Sequence, residues 1–190
     1  AQAKRAKEIT ANLLRFSQQR PAANLRPVDL NRVVADTLTL VEAQVRAEGI
    51  EIALEPAAAL PPVRGDPGQL TQVLLNLVAN ARTAMLQSAG KRLTISTTSD
   101  GERVCLRVAD TGKGIAEKDL PRIFEPFFTT KDVWSNVGLG LSVSFRIVSE
   151  HQGRIDVESE VGRGSAFTVG LPLAVKGGGG TQARVKTTEA

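Results

Sequence analysis

Residues 103–114 read RVCLRVADTGKG, an alternating apolar stretch that ends in an acidic residue and two glycines. Val104, Leu106 and Val108 share one face of the predicted strand, because successive side chains of a strand point to opposite sides. Asp110 continues their register, so its carboxylate is predicted to face the core, where an unpaired charge is costly. A donor must meet it there, and the exocyclic amino group of adenine would suit; the alternative is an ordinary Asp-x-Gly turn.

The segments around this strand predict an α/β protein. Asp100-Gly101 joins it to an earlier strand at 92–98, as a hairpin turn would. Asp29 and Asp66, the second followed by proline, are typical helix N-caps. The predicted order is helix, strand, helix, hairpin, long loop, helix, hairpin, with boundaries near 50–54 for the first strand, 67–86 for the second helix and 139–151 for the third. This order favours a two-layer α/β sandwich, with three helices on one face of a mixed, mostly antiparallel sheet.

Charge and composition narrow the class of function. The 190 residues carry a net charge of +4, of which residues 1–20 hold +4 and residues 176–190 hold +2, leaving −2 for the body between them. A slightly acidic body with no Tyr and one Trp argues against nucleic acid as a partner. A single cysteine excludes an intramolecular disulfide and fits a cytoplasmic, reducing compartment. The only Met is Met85, so we expect a fragment of a longer parent protein, and whether that parent is membrane-anchored is left open.

Two asparagines lie one helical turn apart beside the leucine stripe of the second helix. Asn76 and Asn80 are unusual there, because the Asn amide competes with the helix backbone for hydrogen bonds. An Asn oxygen can complete a Mg²⁺ shell that phosphates and waters otherwise fill. The alternative is a pair of amides that bond to neighbouring loops.

Glycines mark two places where a ligand could approach the backbone. Gly112 and Gly114 follow Asp110 and would let the backbone come close to a ring. Gly138, Leu139 and Gly140 stand at a helix start, where N–H groups and the helix dipole favour phosphate.

The long loop before that helix contains FEPFFTTK at 124–131. Three phenylalanines at this density indicate a lid hinge that packs back onto the domain. Lys131 could then reach a terminal phosphate as a point charge, or it is a surface lysine after a hydrophobic anchor.

Five motifs in order carry a resemblance to a known family. They are NLVANA (76–81), DTGKG (110–114), FEPFFTTK (124–131), GLGLSV (138–143) and GRGSAFTVGLP (162–172). Over about 29–173 the sequence closely resembles the ATP-binding catalytic domain of bacterial sensor histidine kinases, which has the Bergerat-type nucleotide-binding fold. Type II topoisomerases, heat-shock-90 chaperones and mismatch-repair ATPases share this fold.

The resemblance implies a role for each site residue. Asn80 would coordinate Mg²⁺, Asp110 would accept from the adenine amino group, and Ser165 would lie on the adenine side. The hydrolysing relatives carry a glutamate where this chain has Asn76, so phosphoryl transfer is favoured over hydrolysis, with Asn76 and Lys131 as the catalytic pair. The backbone set comprises Gly112 and Gly114 at the base, and Gly138, Leu139 and Gly140, together with Lys131, at the phosphates.

The resemblance also implies the organisation of the chain. Residues 1–20 are expected to be the second helix of a truncated dimerisation and phosphoacceptor hairpin, although a simple surface helix would show the same apolar spacing. The other boundaries are a linker at 21–28, the catalytic domain at 29–175 and a disordered tail at 176–190. His151, the single histidine, is interpreted as a cation that complements a helix C-terminus, so the phosphoacceptor must lie outside this chain.

The function so predicted is transfer of the γ-phosphoryl group of Mg-ATP to a histidine outside the chain, for relay to a response regulator receiver domain. Homodimerisation through the N-terminal helix is left open. The family's lid commonly reads Gly-x-Gly-Thr where this sequence has Trp134, Asn136 and Val137, which should stiffen the lid or alter its phosphate contacts. The alternatives are therefore a nucleotide-binding pseudokinase module, or an ATPase of the same superfamily.

Overall fold

The structure, a computed structural model, describes residues 24–129 and 138–174. Its main sheet has five strands in the order β2-β4-β5-β7-β6. All neighbours are antiparallel except β2 and β4, which are parallel. The strands are β1 (Arg26–Val28), β2 (Glu51–Glu55), β3 (Val63–Gly65), β4 (Arg92–Ser99), β5 (Arg103–Asp110), β6 (Arg154–Glu160) and β7 (Gly164–Pro172). The helices are α1 (Leu30–Ala47), α2 (Pro67–Ala84), α3 (Gly140–Glu150) and a 3₁₀ helix (Glu117–Arg122).

Both predicted N-caps are confirmed. The Asp29 carboxylate accepts from the N–H of Arg32 at the start of α1. The Asp66 carboxylate accepts from the N–H groups of Gly68 and Gln69 at the start of α2, where Pro67 occupies the first turn. These caps satisfy N–H groups that have no partner inside the helix, so local sequence determines where both helices begin.

The core lies between the helices and one face of the sheet. Inward side chains of β4 and β5 alternate with more exposed ones, whereas β7, between β5 and β6, is buried along most of its length. The inward side chains of these strands pack against the apolar stripes of all three helices. The most buried members include Leu74, Leu77, Leu93, Ile95 and Leu171. The predicted two-layer α/β sandwich is confirmed, and its sheet is mixed because of the β2–β4 pair.

A second, two-stranded sheet extends the domain at its N-terminal side. β1 pairs with β3, and Val63 of β3 also bridges to Leu173. Residues 26–28 are therefore part of the fold, and their assignment to the linker at 21–28 is wrong. Strands of three residues are too short to show an alternating pattern in the sequence. Residues 1–23 and 175–190 lie outside the described residues, so the N-terminal helix and the tail stay predictions.

His151 caps α3 as a buried, neutral side chain. Its Nδ1 lies 2.8 Å from the carbonyl oxygen of Ile147, and its Nε2 accepts from the N–H of Asp66 at 2.9 Å. Because Nε2 is an acceptor, the single ring proton is on Nδ1. The prediction that His151 is a cation is therefore wrong. The placement at a helix end is confirmed, and the ring links the end of α3 to the start of α2.

Among the described helices, none is both long and apolar enough to cross a membrane.

Candidate functional site

A cavity of about 330 Å³ lies between α2, the segment after β5, the start of α3 and the start of β7. Eight of the ten residues predicted from sequence line it. These eight are Asn76, Asn80, Asp110, Gly114, Gly138, Leu139, Gly140 and Ser165. Gly112 does not line this cavity but lines a second one on the other side of Ala84 and Lys113. Lys131 falls outside the described residues, as do Trp134, Asn136 and Val137.

One end of the cavity is built by sheet register. Asp110, the last residue of β5, is 8% exposed, so the prediction that it faces inward is confirmed. Its neighbour across the β5–β7 pair is Ser165, whose hydroxyl lies 2.9 Å from that of Ser159. The Asp110 carboxylate also accepts from the N–H of Gly112 at 2.8 Å, so the Asp-x-Gly turn is present as well. The register thus places a buried carboxylate and a serine hydroxyl side by side.

Gly112 and Gly114 hold the segment after β5 against its neighbours. A Cβ on Gly112 would lie 2.7 Å from Ala84 at the end of α2. Gly114 has a φ of 70°, and a Cβ there would collide with the carbonyl group of Glu160. Both contacts leave no room for a side chain, so the requirement for glycine is steric, and at Gly114 it is conformational too.

Asn76 joins α2 to α3. Its Nδ2 donates to the carbonyl oxygen of Gly140 at 3.1 Å and to the hydroxyl of Ser144 at 3.2 Å. Ser144 is fully buried and donates in turn to the same carbonyl oxygen at 2.9 Å. For this asparagine, the reading of an amide that bonds to a neighbouring segment is correct.

Asn80 differs from Asn76. Its Nδ2 is buried without a hydrogen-bond partner in the part of the chain that the structure describes. A Cβ built on Gly140 would lie 4.0 Å from that nitrogen, so the amide stands opposite the start of α3. A buried amide without a partner is costly in the unliganded protein, and it indicates a ligand.

The start of α3 forms another wall of the cavity. Gly138 has a φ of 68°, and its carbonyl oxygen accepts from the N–H of Phe127, itself at a φ of 66°. No side-chain cap bonds to the first turn of α3 within the described residues. An uncapped helix start that faces a cavity attracts an anion through its N–H groups and dipole. Two of the three phenylalanines pack as expected, since Phe124 and Phe128 lie against the core and the Arg122 guanidinium stacks 4.6 Å above the Phe128 ring. Phe127 instead is exposed.

Sequence reasoning missed several lining residues. Gln72 lies one turn before Asn76 on α2, and helical spacing could have identified it. Lys113, within the DTGKG motif, lines the cavity as well, although the sequence predicted no role for it. The apolar lining could not be read from the sequence, because it is assembled from distant segments: Ile115, Ile123, Phe128, Leu141, Val143 and Phe167.

Comparison with known proteins agrees with this arrangement. Residues 65–175 match the family described as histidine kinase-, DNA gyrase B- and HSP90-like ATPase. The sensor histidine kinase ZraS of Escherichia coli (strain K12) is 39% identical over 176 residues, which are 92% of this chain and 36% of that protein. The chain therefore spans about a third of the length of this curated relative.

Solved structures give the same result. Full-length ShkA in complex with AMPPNP superposes with a TM-score of 0.73 at 31% identity, over 86% of this chain and 34% of that one. The catalytic domain of histidine kinase ThkA superposes with a TM-score of 0.70 at 30% identity, over 79% of this chain and 98% of that one. ThkA in complex with the response regulator protein TrrA superposes with a TM-score of 0.74 at 26% identity, over 90% of this chain and 48% of that one. The chain belongs to the histidine kinase-, DNA gyrase B- and HSP90-like ATPase family, and within it to the ATP-binding catalytic domains of sensor histidine kinases.

Proposed function

We propose that this domain binds Mg-ATP in the cavity and transfers the γ-phosphoryl group to a histidine on another segment of its parent protein, for relay to a response regulator. One observation carries the proposal. Asn80, with a buried amide nitrogen that lacks a partner within the described residues, stands opposite the uncapped start of α3. Phosphate oxygens would accept from both sets of N–H groups at once.

In this proposal the base lies at the sheet end of the cavity. The Asp110 carboxylate accepts from the adenine amino group, and Ser165 contacts the same side of the ring. Gly114 leaves the backbone close to the base, while Gly112 holds the turn in place from behind. Ile115 and Phe167, which line the cavity, provide apolar contact for the ring.

The donor set suits Mg²⁺ held mainly by phosphates. The described residues contain no group of three or more His, Cys, Asp or Glu side chains that could hold a metal ion. A neutral Asn80 oxygen, presented by rotation of the amide, would contribute one ligand, and phosphate oxygens and water would contribute the rest. When bound, the ion supplies charge neutralisation of the phosphate oxygens.

Asn76 favours transfer over hydrolysis. An amide cannot take a proton from water as a carboxylate can, so no general base stands at this position. Its bonds to Gly140 and Ser144 instead orient the start of α3, where Gly138, Leu139 and Gly140 present N–H groups to the phosphates. We include Lys131 as the cation at the terminal phosphate. Catalysis then rests on positioning and charge stabilisation.

The partners follow from the same proposal. The phosphoacceptor histidine lies on the hairpin of the parent, because the single histidine of this chain is buried and bonded at both ring nitrogens. A response regulator receiver domain accepts the phosphoryl group next, and the complex of ThkA with TrrA supports a partner of this class. Residues 1–20 are assigned to the second hairpin helix, and a homodimer through that helix is part of the proposal.

Phosphotransfer in trans tests this function. The chain is incubated with Mg²⁺, γ-labelled ATP and the separately produced hairpin of the parent, and acid-labile label is expected on the hairpin. Two controls are matched to it: a hairpin with its acceptor histidine replaced by glutamine, and the Asn80→Ala chain. Nucleotide binding without transfer would contradict the proposal and identify a binding module with altered lid residues. Steady ATP turnover without the hairpin would identify an ATPase.

A further inference from the structure

Gln72 is the one polar residue of α2 that lines the cavity and that the proposed function leaves without a role. With Asn76 and Asn80 it forms a row at positions i, i+4 and i+8, so the three amides lie along one helix face. All three line the cavity. Contacts along α2 show which end of this row lies toward the base and which lies toward the phosphates.

The C-terminal end of α2 lies at the base end. The N–H of Lys113 donates to the carbonyl oxygen of Ala84 at 3.1 Å, and a Cβ on Gly112 would lie 2.7 Å from Ala84. Moving toward the N-terminus, Asn80 and Asn76 stand opposite the start of α3, about 4 Å from a Cβ built on Gly140. Counted from the C-terminal end of α2, the base end of the cavity therefore comes first, and the start of α3, which would bind phosphate, comes second.

Gln72 comes third in this order. At 1.5 Å per residue it lies about 18 Å from Ala84 along the helix axis, and about 6 Å beyond Asn76. It is thus the α2 side chain at the end of the cavity opposite Asp110. A nucleotide with its base at Asp110 and its first phosphates at Gly140 extends toward Gln72.

The chemistry of glutamine suits the end of a phosphate chain. Its neutral amide carries two N–H donors and an acceptor oxygen, so it can bond a phosphate oxygen while keeping a partner within the protein. A hydrogen bond to a charged group is also stronger than one between neutral groups. A carboxylate of the same length would repel the phosphate instead.

We propose that Gln72 contacts the terminal phosphoryl group and is the residue on α2 that distinguishes a nucleoside triphosphate from a diphosphate. This inference rests on the proposed function, because it takes the orientation with the base at Asp110. It adds a recognition element for the third phosphate. It also places that phosphate at the end of the cavity opposite Asp110, where the phosphoacceptor histidine must approach.

Calorimetry of the 190-residue chain with Mg-AMPPNP and Mg-ADP tests it. Gln72→Ala should weaken AMPPNP binding by roughly five- to twenty-fold, since a hydrogen bond to a charged group is lost. ADP binding should change by less than about two-fold, within the spread of neutral substitutions. Gln72→Glu keeps the length and adds a negative charge, so its loss for AMPPNP should exceed that of Gln72→Ala.

The matched control is Gln44→Ala, an exposed glutamine of α1 outside the cavity lining, which should change neither affinity. Equal losses for both nucleotides in Gln72→Ala would overturn the inference, because they would indicate a structural defect of α2. No change for either nucleotide would overturn it too. If the unaltered chain binds neither nucleotide, the proposed function itself fails, which separates the two cases.

Discussion

Replacing Asn76 and Asn80 by alanine should affect the unliganded protein in opposite ways. Asn76 makes two hydrogen bonds to α3, whereas the buried Nδ2 of Asn80 has no partner among the described residues. At Asn76, two lost hydrogen bonds cost about 2 kcal/mol, partly offset by the better helix propensity of alanine, about 0.7 kcal/mol. Asn76→Ala should therefore lower the free energy of unfolding by about 1–1.5 kcal/mol, and Tm by roughly 2–6 °C.

The result at Asn80 should have the other sign. Removing a buried N–H without a partner relieves a desolvation penalty of about 1–3 kcal/mol, and alanine favours the helix, so stability should stay equal or rise. Nucleotide binding should nevertheless suffer. Loss of an interaction with the metal–phosphate group should weaken Mg-AMPPNP binding by at least about ten-fold.

Denaturant unfolding followed by circular dichroism, without nucleotide, measures the first quantity, and calorimetry measures the second. Thr83→Ala on the same helix is the control, because Thr83 is outside this cavity and, among the described residues, its hydroxyl donates only to the carbonyl oxygen of Ala79 within its own helix. Equal destabilisation by Asn76→Ala and Asn80→Ala would refute the reasoning. So would a fully stable Asn76→Ala, since the α2–α3 hydrogen bonds would then contribute nothing.

Two further predictions concern positions outside the amide row. Hydrogen bonds from Arg82 hold the pKa of Glu48 below its usual value despite partial burial, so this pair stabilises the fold above about pH 4.5 and loses its effect as pH falls through the lowered pKa. Glu48→Gln should lower the free energy of unfolding by about 0.5–1 kcal/mol at pH 7, and in unfolding curves the difference from the unaltered chain should shrink as pH falls through the lowered pKa of Glu48. Gly138→Ala should weaken AMPPNP binding by about ten-fold in calorimetry, because its Cβ would lie 2.7 Å from the backbone of Phe127 at a φ of 68°. Gly162→Ala is its control, since it has a φ of 82° with nothing within 4 Å, and an equal loss there would contradict the steric explanation.

The sequence predicted those parts of the site that depend on local pattern. Alternation along an eight-residue strand was enough to place Asp110 inward, and the capping aspartates fixed the starts of α1 and α2. The glycines after β5 predicted that the backbone there comes close to a neighbouring group. Each of these predictions depends only on residues of the same strand or within about one helical turn.

Features that depend on distant partners could not be predicted. Asn76 bonds to residues 64 and 68 positions away, and nothing near it in the sequence identifies them. The parallel pairing of β2 with β4 is likewise a property of the crossover between them. The neutral state of His151 follows from a backbone N–H 85 residues away, which turned an expected helix-end cation into a buried acceptor.

The two ends of the cavity differ in how they are held, and this difference bears on specificity. The base end lies on the sheet, where Asp110 and Ser165 are adjacent in the continuous register of β5 and β7. The phosphate end lies between two helices joined by the Asn76 bonds near the start of α3 and by the His151 bond to Asp66 near its end. A sheet ladder opens at a cost close to that of global unfolding, whereas a helix contact made by a few side chains opens at a lower cost. Substitutions at the α2–α3 contact should therefore alter affinity for the triphosphate before they alter recognition of the base.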